Sequence, residues 1–300
     1  MSGVPTQTSG EATAGPEPGR PAAPSRPGPG RGRSLLVTVA LQAAVLAVAV
    51  WLWWLFTDVL PAPGSIAHGF APDVTFSALR EMLADGTMTT NAGTSLARLG
   101  IGLAVAMAVG VPVGLLVGSV RLVERSTGAL FQLLRMTSPL SWAPIAVIVF
   151  GVGSKPVWAL VAFAAVWPFI LNTAAGVKSV DRDWLLTARS LGARRRELVR
   201  TIVLPAVRPH VLTAVRLALG VAWIVLVPAE MLGVQSGLGY EVLNARDQLA
   251  YDELMATVLA IGILGFILDG IAQLVLRPRR RRGSASRALA AAHADVAEAH

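Results

Sequence analysis

The chain has 300 residues, 54% of them hydrophobic and only 15% charged, which is too apolar for a water-soluble domain of this length. Its formal net charge of +8 is gathered in segments that flank apolar runs. That is the pattern of a membrane protein's inner loops and not of a nucleic-acid-binding face, so no nucleic-acid partner is expected.

There is no cysteine, hence no disulfide framework and no thiolate metal site. His68, His210, His293 and His300 lie too far apart in sequence to form a metal-binding motif. Neither a metal nor a cofactor is expected.

Residues 1–33 are Pro, Gly, Ala, Ser and Arg with almost nothing large and apolar. Such a leader cannot bury enough surface to offset its ordering entropy, and it reads as disordered. Residues 34–276 form the transmembrane domain. Its first span, about 35–56, carries no charge from Leu35 to Phe56 and suits one bilayer crossing, with Trp51, Trp53 and Trp54 at the far interface. The run is longer than the roughly 7–15 residues of a signal-peptide core, so it reads as a retained helix running from cytoplasm to outside.

An outer segment follows, with Pro61, Pro63 and Pro72, four acids, and a short amphipathic helix predicted near Phe76–Leu83. The second span is 99–118. Gly102, Ala106, Gly110, Gly114 and Gly118 recur every four residues and predict a stripe on which another helix packs closely. Pro112 predicts a kink. Arg121 and Arg125 place the next turn in the cytoplasm.

The third span, 127–150, is interrupted midway by Arg135, Ser138, Pro139, Ser141, Trp142 and Pro144. Broken backbone at membrane depth is tolerated only beside protein or a water-filled cavity. Ser138 and Trp142 are therefore candidates for lining a path, with a packing kink as the alternative. The fourth span, 157–177, contains Pro168 and Asn172. An amide at that depth either bonds a neighbouring helix or lines a path, which makes Asn172 the third path candidate.

The longest polar interruption is 181–208. Counting Lys178 just before it, this loop carries eight basic residues against Asp181, Asp183 and Glu197. Leucine and isoleucine spacing predicts two short amphipathic helices that reverse at Gly192, the second ending at Pro205. The fifth span is 212–232, with Arg216 snorkelling near its cytoplasmic end and Glu230 at its outer end. A carboxylate there is paired, faces a cavity or sits at the interface. After an outer segment with a turn at Ser236–Tyr240 and a short helix, the sixth span is 254–276, with Asp269 solvated or paired near the inner surface. The basic tail 277–300 is expected to be mobile. Basic residues before the first span and after the second, fourth and sixth give six helices with both termini cytoplasmic.

The order Ala188, Gly192, Ile202, Leu204, Pro205 resembles the EAA loop of ABC importer permeases, in which an alanine motif precedes a glycine and then Ile-x-Leu-Pro. Leu186 stands at the family's Glu position and Thr187 at its first Ala, so the acid that names the motif is missing. Leu134–Pro144, Ala188–Ala193 and Ala229–Gly233 are similar to the nitrate, sulfonate and taurine branch, and the likeness extends from the second span to the end of the sixth.

The resemblance implies an all-α type I permease fold in a bacterial inner membrane, working as a homodimer. It implies ABC ATPase subunits that receive 181–208 as a coupling loop, an extracytoplasmic solute-binding protein, and a small solute such as nitrate, a sulfonate or taurine. Leu186, Thr187, Ala188, Gly192, Ile202, Leu204 and Pro205 are its coupling residues. Arg194, Arg195 and Arg196 would meet acids of the ATPase or lipid headgroups.

The chain has no P-loop of its own, because its lysines, Lys155 and Lys178, follow Ser154 and Val177. It is therefore expected not to be an enzyme, with ATP hydrolysed on a separate subunit. The competing readings are a six-helix secondary carrier or channel without an ATPase, and a membrane protein with a structural role.

Overall fold

A computed structural model of the chain describes residues 31–62 and 64–276, and every regular element among them is helical. The leader up to Gly30 and the basic tail from Arg277 lie outside the described residues. Two compact units divide the chain, one ending at Leu52 and the other starting at Trp53. The first holds most of helix α1 (Arg31–Trp54), which runs on through one π turn, Leu55–Val59. The stretch Val37–Val59 is long and apolar enough to cross a membrane.

In the second unit, Trp53 donates from Nε1 to the Phe70 carbonyl at 2.9 Å, fixing a 3-10 turn, Ile66–Phe70, ahead of α2 (Pro72–Ala84). Pro72 opens that helix, where its missing N–H costs nothing. The long helices are α3 (Thr87–Ser119), α6 (Ser154–Lys178), α9 (Leu204–Glu230) and α11 (Tyr251–Val275). Between α3 and α6 lie α4 (Arg121–Met136), a 3-10 turn Pro139–Trp142 and α5 (Ala143–Phe150). These last pieces are bent by 90° at their break and together are long and apolar enough for a broken span or a re-entrant loop.

The core is the layer in which α3 packs on α6 and α6 on α9. The predicted small-residue stripe is what lets α3 approach. A Cβ on Gly102 would lie 2.5 Å from Val161 Cγ1, and one on Gly114 would lie 2.7 Å from the Ile170 carbonyl oxygen. Ala218 and Ala222 on α9, both fully buried, serve the same end on the other side of α6.

Three predicted boundaries need correction. The helix that carries the second span begins at Thr87, well before residue 99. Thr90 and Thr94 return their hydroxyls to the carbonyls of Gly86 and Thr90, four residues back, so polar residues stay within the helix instead of ending it. Pro112 sits inside α3, which continues unbroken to Ser119.

The third span is not one helix. Arg121 and Arg125 belong to α4, and Ser138 is extended (φ −60°, ψ 128°) because the following Pro139 disfavours helical backbone there. The helix that carries the fifth span starts far earlier than residue 212, since Pro205 does not stop the helix before it. Residues Arg196–Glu230 form one continuous rod. A π turn, Val199–Val203, closed by Leu204 N–H to the Val199 carbonyl, widens the helix just where the proline ring and its missing N–H would break a regular ladder.

Candidate functional site

The loop 181–208 folds as a helical hairpin. Asp181 caps α7 (Arg182–Ser190), its Oδ1 accepting from Asp183 N–H at 3.0 Å. The other end of α7 closes in a left-handed turn. Ala193 N–H donates to the Ala188 carbonyl at 3.0 Å and Gly192 N–H to the Arg189 carbonyl at 2.9 Å, with Gly192 at φ +83°. That double closure is the Schellman arrangement, and it explains the spacing of Ala188 and Gly192. Next comes α8 (Arg195–Leu198), where Glu197 reaches back to accept from Arg194 N–H at 2.8 Å.

Between α7 and the π turn lies an open apolar groove of about 720 Å³. Thr187, Ala188 and Ile202 line it together with Trp184, Leu191 and Thr201. Gly192 makes the reversal beyond it. Leu186 points away and is exposed, while Leu204 and Pro205 are exposed at the foot of the rod. The residues expected to couple are thus brought to one hairpin, with only part of them on the groove.

The path candidates are not gathered in the same way. Ser138 is exposed at the break, where its carbonyl accepts from Ser141 N–H at 3.1 Å. Trp142 is half-buried against Phe163 at 5.5 Å between ring centroids, and its indole N–H has no partner among the described residues. Asn172 bonds neither a neighbouring helix nor an open cleft. Its Nδ2 donates to the Pro168 carbonyl of its own helix at 2.8 Å.

At the far end of the rod from the hairpin lies a cluster only half legible in the sequence. Glu230 is sealed from solvent and paired with Arg98, Nη1 to Oε1 at 2.8 Å. Its carboxylate also accepts from Ser95 Oγ and from Gly239 N–H. The Arg98 guanidinium is spent on the Ser236 carbonyl, the Ser236 hydroxyl and the Ser154 hydroxyl. Asn91 accepts from Gly237 N–H and donates to Glu241, a buried acid of α10 (Leu238–Asp247). Both carboxylate oxygens and all three guanidinium nitrogens of the ion pair have hydrogen-bond partners, the condition under which a buried pair is tolerated. Asn91, Ser95 and Arg98, spaced i, i+4, i+7 on one helical face just ahead of an apolar run, are the signal that identifies its α3 side.

Residues 110–282 match the family of binding-protein-dependent transport system inner membrane components. The chain belongs to that family. Among relatives of this permease, the taurine transport system permease protein TauC of Escherichia coli is 32% identical over 251 residues, covering 81% of the chain and 88% of TauC. The bicarbonate transport system permease protein CmpB of Synechococcus elongatus is 35% identical over 177 residues, covering 58% and 63%. A chain of the MetNI methionine ABC transporter, solved in inward-facing conformations, superposes with a TM-score of 0.53 at 16% identity over 61% of this chain and 91% of that one. The permease therefore has the type I ABC importer fold, and its family is one of transport subunits in a membrane.

Proposed function

We propose that the permease is the membrane half of an ATP-driven importer in a bacterial plasma membrane. Two copies form the path, ABC ATPase subunits dock on the hairpin at the cytoplasmic face, and an extracytoplasmic binding protein delivers a small oxyanion or sulfonate to the other face. ATP is hydrolysed on the partner, not on this chain. The substrate class is supported by the taurine and bicarbonate systems for which two relatives are named.

The observation that carries the ATPase partner is the hairpin surface. Trp184 and Leu191 are 69% and 83% exposed on the groove, although water disfavours such side chains. Large apolar groups beside a concave site are the anchors that partner proteins use. The hairpin continues without a break into the rod Arg196–Glu230, so a push on α7 and α8 would move a whole spanning helix as a rigid body.

The test is purification of the tagged chain from its host in mild detergent, with co-purifying proteins identified by mass spectrometry beside Leu191→Asp. An ABC ATPase that accompanies the wild type and is lost from a folded Leu191→Asp chain is the expected result. No ATPase with the wild type in any mild detergent would favour a carrier or channel instead.

A further inference from the structure

Helix α4 is turned the opposite way from a surface helix of a water-soluble protein. Leu122, Leu130, Leu133 and Met136 point outward, 77%, 54%, 63% and 71% exposed. On the opposite face, at 100° per residue, Glu124, Thr127, Gln132 and Arg135 line a cleft of about 290 Å³ closed on its other side by α6. In a bilayer this is the orientation of a helix that borders a polar route, with its leucines toward lipid or a neighbouring chain and its polar groups toward water.

Charge within the cleft is unevenly matched. At one end Glu124 is paired with Lys178 Nζ, so those two neutralise each other. Arg135 lies eleven residues further along α4, about 16 Å at 1.5 Å per residue, and Trp167, another lining residue, lies equally far from Lys178 along α6. Among the described residues the Arg135 guanidinium has no carboxylate partner, only Gln132 Oε1 of its own helix at 3.3 Å. An arginine without a carboxylate partner in a cleft is satisfied where water and an anion reach it, and its planar fork of donors matches the oxygens of an oxyanion.

The 90° break follows Met136, the residue after Arg135. A file of rings runs beside it, Phe131 to Trp167 at 5.7 Å, Trp167 to Phe163 at 5.8 Å and Phe163 to Trp142 at 5.5 Å.

We propose that Arg135 is the anion-recognising group of the translocation path, meeting the oxygens of a small oxyanion or sulfonate as it passes between α4 and α6. The assignment rests on the permease reading above and gives its substrate class a residue.

The chain contains no cysteine, so a single introduced one reports cleanly. Gln132→Cys lines the cleft one turn from Arg135, and Ser138→Cys at the break is the second reporter. Each is placed in full-length protein in membrane vesicles. Labelling rates are measured with a sulfonate-bearing and a trimethylammonium-bearing methanethiosulfonate, neither of which partitions into hydrocarbon. Both reagents are expected to react, and Arg135→Gln is expected to lower the anionic-to-cationic rate ratio about sevenfold. That is the Coulomb effect of one unit charge about 7 Å away in water on reagents of opposite sign. Arg125→Gln, on the same helix but off the cleft, is the control that leaves the ratio unchanged.

Two unreactive cysteines, or a ratio indifferent to Arg135→Gln, would overturn the assignment. Labelling requires neither ATPase nor binding protein, so a failed ATPase co-purification with the ratio change intact would overturn the importer reading alone.

Discussion

The Arg98 guanidinium meets the Glu230 carboxylate at 2.8 Å with side chains 5% and 0% exposed, joining α3 to the end of α9. Removing one partner strands the other charge in an apolar core, which typically costs about 3–5 kcal/mol. Glu230→Ala is therefore expected to lower the unfolding temperature in detergent steeply. The double change Arg98→Met with Glu230→Leu, which leaves no orphan charge, is expected to recover part of the loss. Equal unfolding temperatures for wild type and Glu230→Ala would show that the pair does not hold the two helices together.

Close packing of α3 on α6 makes a contrast available within one helix. A methyl group on Gly114 would sit 2.7 Å from the Ile170 carbonyl oxygen and the same distance from Thr173 Cβ, and the first of these is backbone that cannot rotate away. Gly100 has nothing within 4 Å of the corresponding position. Gly114→Ala should force the helices apart and lower both yield and unfolding temperature. Gly100→Ala should be neutral or stabilising, by up to about 1 kcal/mol from helix propensity. Thermal unfolding of the two variants side by side decides the matter.

The helices expected at 157–177 and 254–276 were legible almost to their ends, because an uncharged run of bilayer length has few alternatives. The small-residue stripe was legible too, since Gly102 through Gly118 keep a helical spacing that only a packed neighbour explains. The start of the second span was not, because hydropathy cannot register that Thr90 and Thr94 satisfy their own hydroxyls or that Asn91, Ser95 and Arg98 find partners in α9, α10 and the turn between them. Pro205 misled for a related reason: a proline ends a regular ladder, and the π turn that accommodates it has no sequence signature. Arg216 and Asp269 were each placed near the inner surface. What the sequence could not supply was that they face one another at 3.6 Å across α9 and α11.

That Arg216–Asp269 pair is half exposed on both sides, unlike Arg98–Glu230. Exposed pairs contribute about 0–1 kcal/mol, and an arginine near a helix end has headgroups within reach. Asp269→Asn should leave the unfolding temperature almost unchanged, even though both changes remove one carboxylate from the membrane domain. A loss comparable to that of Glu230→Ala would mean that the Arg216 charge is as deeply buried in the assembled protein as Arg98 is in the chain.

Gly192 separates backbone strain from steric exclusion. A Cβ there meets nothing within 4 Å, so space does not require glycine; the φ of +83° does. Asparagine adopts the left-handed region readily, whereas a β-branched residue is held there at a cost of about 1–2 kcal/mol or more. Gly192→Asn should keep the turn, the two Schellman hydrogen bonds and the orientation of α7 over the groove. Gly192→Val should open the turn and displace Trp184 and Leu191 relative to Ile202, leaving the spanning helices folded. On the proposed importer function, ATP-driven solute uptake by vesicles would then fall in the valine variant and stay near wild type in the asparagine one. ATPase co-purification would follow the same order. If both variants lost uptake equally while retaining the ATPase, the hairpin would need glycine for mobility at residue 192 and not for the shape of the turn.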